Sequence, residues 1–157
     1  MFLYDIYSPE LIKVGFEAED KEEAFEELVD HFCQVTNNSS REEILTALRD
    51  REAKMSTGIK KGIAIPHGRT AAVERVFGAI GISKKGIDYD SLDGEPVYIL
   101  FMILAPETQS EAHLRALTRL AELLENPQFV TDLASQNDSH GAYAVIRNYE
   151  DILTALD

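Results

Sequence analysis

The chain has 157 residues, 45% of them hydrophobic, which suits one domain with its own core, and we expect a single domain over residues 1–157. A formal charge of −13 argues against nucleic acid as the ligand, because proteins that bind it usually present a basic surface. Cys33 is the only cysteine, which excludes an internal disulfide and a cysteine-based zinc site.

Membrane and export signals are not evident in the sequence. No stretch approaches the roughly 20 continuous apolar residues that a membrane helix needs. The N-terminal residues MFLYDIYSPE lack a basic region followed by an apolar core, as a secretory signal would have. We therefore expect a cytoplasmic protein that does not insert directly into a membrane.

The first third of the chain predicts a strand followed by two helices. Residues 11–16 form a short β-like run, and Asp20 is placed to cap a helix with apolar residues at helical spacing. Ser40 and Glu43 have the spacing of a capping box for a second helix that ends near Arg51. Residues 56–62 then predict a loop.

The middle of the chain predicts strands. Apolar runs at residues 62–65, 76–82 and 97–104 are separated by turn-rich segments, including Asp93-Gly94. The run at 97–104 is apolar throughout, which indicates a central strand buried on both faces.

The last third predicts helices. A long amphipathic helix from Ser110 carries His113, and the apolar stripe from Leu114 to Leu124 is predicted to be core. Asn126-Pro127 starts another helix as cap and first position, and a final helix is predicted over residues 150–156. This order of elements predicts an α/β fold with three α/β/α layers and a mixed sheet of about five strands.

Basic residues concentrate in one region of this acidic chain. Residues 41–75 contain 8 Lys and Arg against 5 Asp and Glu, whereas the remainder contains 7 against 23. Such an island could attract a small anion such as a phosphoryl group. Chance clustering is the alternative.

His67 lies inside this basic region, between Pro66 and Gly68. Proline restricts the backbone on one side and glycine permits an unusual dihedral on the other, which favours display of the imidazole at a strand end. A neutral imidazole is nucleophilic, and an ordinary pKa near 6.5 leaves much of it unprotonated at neutral pH. The alternative is a structural histidine, which is also our interpretation of His31 and His140.

The motif STGIKKGIAIPHG, preceded by Arg51-Glu52 and followed by His113-Leu114 at the start of a leucine-rich helix, carries a family resemblance. It resembles the fructose/mannitol and nitrogen-regulatory type of enzyme IIA of the bacterial phosphotransferase system. The resemblance implies a histidine phosphocarrier in which His67 accepts a phosphoryl group from phospho-HPr or a nitrogen-branch HPr homologue. It implies no cofactor and no metal, and it suggests Nε2 as the phosphorylated nitrogen.

The resemblance also implies roles for other residues. Arg51 would clamp the phosphoryl group, and His113 would hydrogen-bond a phosphoryl oxygen or the acceptor ring. Apart from the resemblance, the hydroxyl groups of Ser56 and Thr57 could donate hydrogen bonds to the phosphate. Alternatively, His113 is a surface or capping histidine, and Arg51 finishes a helix by pairing with a neighbouring carboxylate.

Two fates for the phosphoryl group remain open. In a sugar-specific protein it passes to a IIB partner during uptake, whereas in a regulatory protein it changes the binding of target proteins. The absence of a fused IIB or IIC segment in this sequence favours the nitrogen-regulatory branch. A remote third hypothesis makes His67 and His113 ligands in a metal-dependent hydrolase, although no His-Glu-x-x-His signature accompanies them.

Overall fold

The computed structural model describes residues 2–156. Within that range the helices are α1 (Leu3–Ile6), α2 (Lys21–Thr36), α3 (Arg41–Glu52), α4 (Ser110–Leu124), α5 (Pro127–Ala134) and α6 (Ser139–Ala155). The strands are β1 (Ile12–Val14), β2 (Gly58–Lys60), β3 (Ile63–Ala64), β4 (His67–Arg69), β5 (Phe77–Ile87) and β6 (Val97–Ala105).

The described strands form one mixed sheet in the order β1-β5-β6-β3-β2, with β4 also paired to β6. Strand β5 runs antiparallel to β6, whereas β3 and β4 run parallel to it. The mixed α/β architecture is therefore confirmed. The sheet of residues 2–156 has six strands where about five were predicted. Strand β2 lies in a segment predicted to be a loop, and β4 was not predicted as a strand.

Strand β6 separates two hydrophobic cores, as its apolar sequence predicted. Leu100, Met102 and Leu104 pack with α2 and α3 on one face of the sheet. Phe101 and Ile103 pack on the other face with the remaining helices. Alternation of side chains along the strand supplies both cores from one segment, which is why almost every residue of β6 is buried.

Local capping signals were partly correct. Asp20 accepts a hydrogen bond from the Glu23 amide at 2.9 Å, and Asn126 caps α5. The prediction of a capping box for α3 was wrong. The Ser40 side chain makes no capping hydrogen bond, and the Glu43 carboxylate accepts a hydrogen bond from Thr70 Oγ1 at 3.3 Å. A tertiary partner has replaced the local one.

The two long C-terminal helices also differ from expectation. Helix α6 begins at Ser139 rather than near residue 150, because Asp138 caps it and Ala142, Ile146 and Glu150 form its buried face. The core face of α4 contains His113, Ala116, Leu120 and Leu123, whereas Leu114 is 64% exposed. Over the residues that the structure describes, no helix is both long enough and apolar enough to span a membrane.

Candidate active site

His67 begins a strand instead of ending one. Strands β3 and β4 lie on the same line beside β6, since Ile63 pairs with Ile99 and His67 pairs with Ile103 at the same offset. Pro66 interrupts the strand between them, because proline has no amide proton to donate, although its carbonyl accepts from the Ile103 amide at 3.0 Å. The histidine is therefore held by strand pairing immediately after a proline break.

A hydrogen bond fixes the orientation of the His67 ring. Nδ1 lies 2.7 Å from the Ile65 carbonyl oxygen, and because a carbonyl can only accept, Nδ1 carries the proton. The lone pair of the neutral ring is then on Nε2. Partial burial lowers the pKa of His67, and so does nearby Arg51, whereas the Ile65 hydrogen bond and Glu52 raise it. The net effect is a decrease, which favours the nucleophilic neutral form.

Gly68 allows the strand to approach α3. It does not have the positive φ that was expected of it. A Cβ atom at this position would lie 3.1 Å from the backbone oxygen of Ala47 and 3.2 Å from its Cβ, closer than such contacts normally are. The absence of a side chain, rather than an unusual dihedral, explains the glycine beside His67.

His67 lines an open cleft of about 700 Å³ between the C-terminal turn of α3 and the N-terminal turn of α4. The residues that line it are Ala47, Asp50, Arg51, Lys54, His67, Gly68, Arg69, Glu107, Ser110, His113, Leu114 and Leu117. The structure thus brings His67, Arg51 and His113 together, although they lie far apart in the sequence.

His113 lies directly beside His67 in this cleft. The ring centroids are 5.5 Å apart, with the ring planes inclined at 62°. His113 is 8% exposed, and within residues 2–156 its Nε2 has no hydrogen-bond partner. Burial, with smaller contributions from His67 and Arg69, lowers the pKa of His113 to about 4. A neutral imidazole with an unused polar atom therefore faces the phosphoacceptor candidate.

The cations of the cleft outnumber its anions. Arg51, Lys54 and Arg69 line it together with Asp50 and Glu107. Arg51 Nη1 donates to the Met55 carbonyl oxygen at 2.8 Å. The sequence reasoning missed Arg69, although a two-residue separation from His67 along a strand could have placed both on one face.

The hydroxyl groups of Ser56 and Thr57 are engaged outside the cleft. Ser56 Oγ accepts a hydrogen bond from the Gly58 amide at 3.1 Å. Thr57 is 3% exposed, and its Oγ1 lies 2.5 Å from Glu52 Oε1 and 2.8 Å from the Tyr89 hydroxyl. Neither residue lines the cleft, so the structure does not place them with the other predicted site residues.

The remaining histidines lie elsewhere. His31 Nε2 contacts the Glu10 carbonyl oxygen at 2.7 Å, and His140 is exposed in the first turn of α6. In the part of the chain that the structure describes, no three His, Cys, Asp or Glu side chains are grouped as metal ligands would be.

Comparison with known proteins identifies the family. Residues 5–149 match the family model described as "Phosphoenolpyruvate-dependent sugar phosphotransferase system, EIIA 2". The chain belongs to this enzyme IIA family. IIA domains of this kind pass phosphoryl groups between HPr-type donors and IIB partners, so membership implies phosphoryl transfer.

Individual relatives include both nitrogen-regulatory and sugar-specific proteins. This IIA chain is 33% identical to a nitrogen regulatory protein of Bradyrhizobium diazoefficiens, over 93% of the chain and 95% of that protein. It is 35% identical to the fructose-specific EIIABC component of Bacillus subtilis, over 96% of the chain but only 24% of that protein.

The same family relationship is evident in three dimensions. The crystal structure of the nitrogen regulatory protein IIA-Ntr from Neisseria meningitidis matches with a TM-score of 0.84 and 29% identity, covering 92% of this chain and 98% of that one. The predicted family and fold are confirmed.

Proposed function

We propose that this IIA chain is a histidine phosphocarrier that accepts a phosphoryl group on Nε2 of His67, from phospho-HPr or its nitrogen-branch homologue. The observation that carries the proposal is the hydrogen bond of His67 Nδ1 to the Ile65 carbonyl oxygen in a cleft with His113 and Arg51. It leaves the Nε2 lone pair for attack. We also propose that residues 1–157 constitute one IIA domain and that it acts in the cytoplasm.

The transfer would be a direct exchange between two nitrogen atoms. The N–P bond of the donor phosphohistidine breaks and its electron pair returns to the donor nitrogen, while the Nε2 lone pair of His67 forms the new N–P bond. His67 retains its Nδ1 proton throughout. Such a transfer depends mainly on alignment and on stabilisation of the three equatorial oxygens.

The cleft has the groups to stabilise those oxygens. Arg51, Arg69 and Lys54 supply positive charge, and a neutral His113 can donate from Nε2 to an oxygen. Ser110 opens α4 at the cleft, where the unpaired amides and dipole of a helix N-terminus favour an anion. We keep Ser56 and Thr57 as weaker candidates that would need the loop to rearrange.

Reconstitution tests the proposal. The protein is mixed with enzyme I, phosphoenolpyruvate and either HPr or its nitrogen-branch homologue, and acid-labile phosphate is located by mass spectrometry. We expect one phosphate on His67 in wild type and none there in His67→Ala. His140→Ala is the matched control and should be phosphorylated normally. Absence of transfer to wild type from every cognate carrier would contradict the proposal.

We propose the nitrogen-regulatory branch for this protein, with regulated target proteins as its partners. Support comes from the regulatory relatives, which the chain matches over nearly their whole length. The fructose-specific relative supports the alternative that a IIB partner accepts the phosphoryl group. Incubation of the phosphorylated protein with purified fructose and mannitol IIB domains discriminates the two, since rapid loss of phosphate to a IIB domain would favour sugar uptake.

A further inference from the structure

Glu52, the last residue of α3, has a buried carboxylate for which phosphoryl transfer gives no direct role. Its side chain is only 6% exposed. A carboxylate is seldom buried to this extent unless it is paired, because burial removes its hydration. The carboxylate accepts hydrogen bonds from the Thr57 amide at 2.8 Å and from Thr57 Oγ1 at 2.5 Å. Lys21 Nζ lies 3.1 Å away and the Tyr89 hydroxyl 3.4 Å away. We call these four residues the Glu52 clasp.

The clasp closes the loop of residues 53–56. The chain leaves α3 at Glu52 and is fastened again at Thr57 by two hydrogen bonds to the same carboxylate. Lys21 ties this closure to α2, and Tyr89 ties it to the segment after β5. The ends of the loop are therefore fixed by contacts from three separate parts of the fold.

Arg51 is hydrogen-bonded to this loop. Its Nη1 donates to the carbonyl oxygen of Met55, which lies inside the closed segment. The same side chain lines the cleft with His67. A free arginine would lose rotamer entropy when it is ordered around a phosphoryl group. A loop that already restrains the side chain reduces that cost.

We infer that Glu52 is a positioning residue that holds Arg51 at the phosphoryl-transfer site by closing the 53–56 loop onto Thr57. This inference rests on the proposed function, because the cleft is a phosphoryl-transfer site only if His67 accepts phosphate. The geometric part, that the clasp determines where Arg51 lies relative to His67, is measurable without any phosphoryl transfer. A purely structural clasp is the competing explanation.

The first experiment uses the pKa of His67 to report whether the Arg51 guanidinium lies close to it. The imidazole of His67 is titrated by NMR in wild type, Arg51→Ala, Thr57→Val and the double variant. Arg51 lowers the pKa of His67 and Glu52 raises it. The other charged or titratable groups that line the same cleft are Asp50, Lys54, Arg69, Glu107 and His113. Thr57→Val is chosen because it removes the Oγ1 contacts with Glu52 and Tyr89 without changing a charge, and leaves the Thr57 amide in place. We expect Arg51→Ala to raise the His67 pKa in wild type and to change it much less in the Thr57→Val background.

An equal change in both backgrounds would overturn the inference, since Arg51 would then keep its place when the hydroxyl contacts that close the loop are lost. Thr57→Ser retains the hydroxyl and should restore the wild-type response to Arg51→Ala. Tyr89→Phe is a milder second disruption that keeps the ring packed against Phe25, and it should give an intermediate response.

The second experiment measures the rate of phosphoryl transfer to His67 from phosphoramidate. In this reaction the donor P–N bond breaks, ammonia leaves and the Nε2–P bond forms, so no carrier protein is involved. We expect Glu52→Gln to slow transfer about tenfold in wild type and less than about twofold in the Arg51→Ala background. The same factor in both backgrounds would show that Glu52 does not act through Arg51.

Glu150→Gln is the matched control for loss of a buried carboxylate. Glu150 is fully buried, accepts from the Tyr4 amide at 2.9 Å and contacts Arg119 Nε at 3.1 Å. It does not line the cleft, so its loss should lower the free energy of unfolding while leaving the transfer rate unchanged. Failure of wild type to accept phosphate from every cognate carrier would reject the proposed function, whereas the titration would still decide whether the clasp positions Arg51.

Discussion

His67 and Arg69 flank a glycine along one short strand, and their environments differ. The ring of His67 is half-buried and fixed by the Ile65 carbonyl. Arg69 is exposed, and within residues 2–156 its guanidinium makes no hydrogen bond or ion pair. Arg51, by contrast, already donates to a backbone carbonyl. The Arg69 guanidinium can therefore bind an incoming phosphoryl oxygen without first breaking a hydrogen bond to another group.

At the residue scale we predict that Arg69→Ala slows phosphorylation of His67 by about tenfold to a hundredfold, because a hydrogen bond to a charged group is worth about 1.5–3 kcal/mol. The initial rate of phosphate incorporation measures the effect. Arg115→Ala is the control, because Arg115 is exposed on α4 but does not line the cleft. Equal slowing in both variants would indicate a general effect of net charge instead of a local contact.

The break between β3 and β4 is the element that presents the histidine. Pro66 removes one strand amide, and after it the chain returns to the same register beside β6. Gly68 then lets β4 lie directly against Ala47 of α3, from which Arg51 follows one turn later. The distance between nucleophile and arginine thus depends on close contact between a strand and a helix.

At the element scale we predict that Gly68→Ala reduces the rate of His67 phosphorylation and lowers the free energy of unfolding by about 1–2 kcal/mol, because the added methyl group overpacks the contact with Ala47. Gly94→Ala is the control: at φ 74° with open space around it, it should cost about 1 kcal/mol of strain without affecting transfer. Stability is measured by urea unfolding. A Gly68→Ala protein with a wild-type rate would contradict the prediction.

Across the whole molecule, the cleft lies where the two helical layers meet the sheet. Helix α3 belongs to the core on one face and α4 to the core on the other, so neither layer contains the complete site. His113 contributes to both packing and the cleft, since its ring is buried while its Nε2 is unpaired in the described chain. Stability and site chemistry are therefore linked through its protonation.

At the scale of the molecule we predict acid destabilisation through His113. Its pKa is about 4 in the folded protein and near 6.5 when unfolded, so the unfolded state binds more protons between these values. The contribution is therefore fully present above pH 6.5 and is lost as the pH falls toward 4. We expect wild type to lose about 3 kcal/mol more than His113→Leu between pH 7 and pH 4. Urea unfolding at each pH measures it, and parallel curves for the two proteins would contradict it.

Sequence reasoning succeeded where the signal was local or strongly periodic. The uninterrupted apolar run of β6 identified the central strand, and Asp20 and Asn126 were recognised as helix caps. The role of His67 as the nucleophile, which the Pro66-His67-Gly68 motif suggested, stays a prediction. Sequence reasoning failed where a tertiary hydrogen bond replaced a local one, as for the predicted capping box of Ser40 and Glu43.

The sequence by itself determined the chemical groups and the family: an imidazole after proline in a basic region, a second histidine opening a helix, and a sheet built around one apolar strand. The tertiary structure decided which of them meet. It brought Arg69 into the cleft and turned Thr57 toward Glu52. The reason is physical: a side chain's own sequence neighbours set its strand or helix, but packing between layers sets which distant groups it faces.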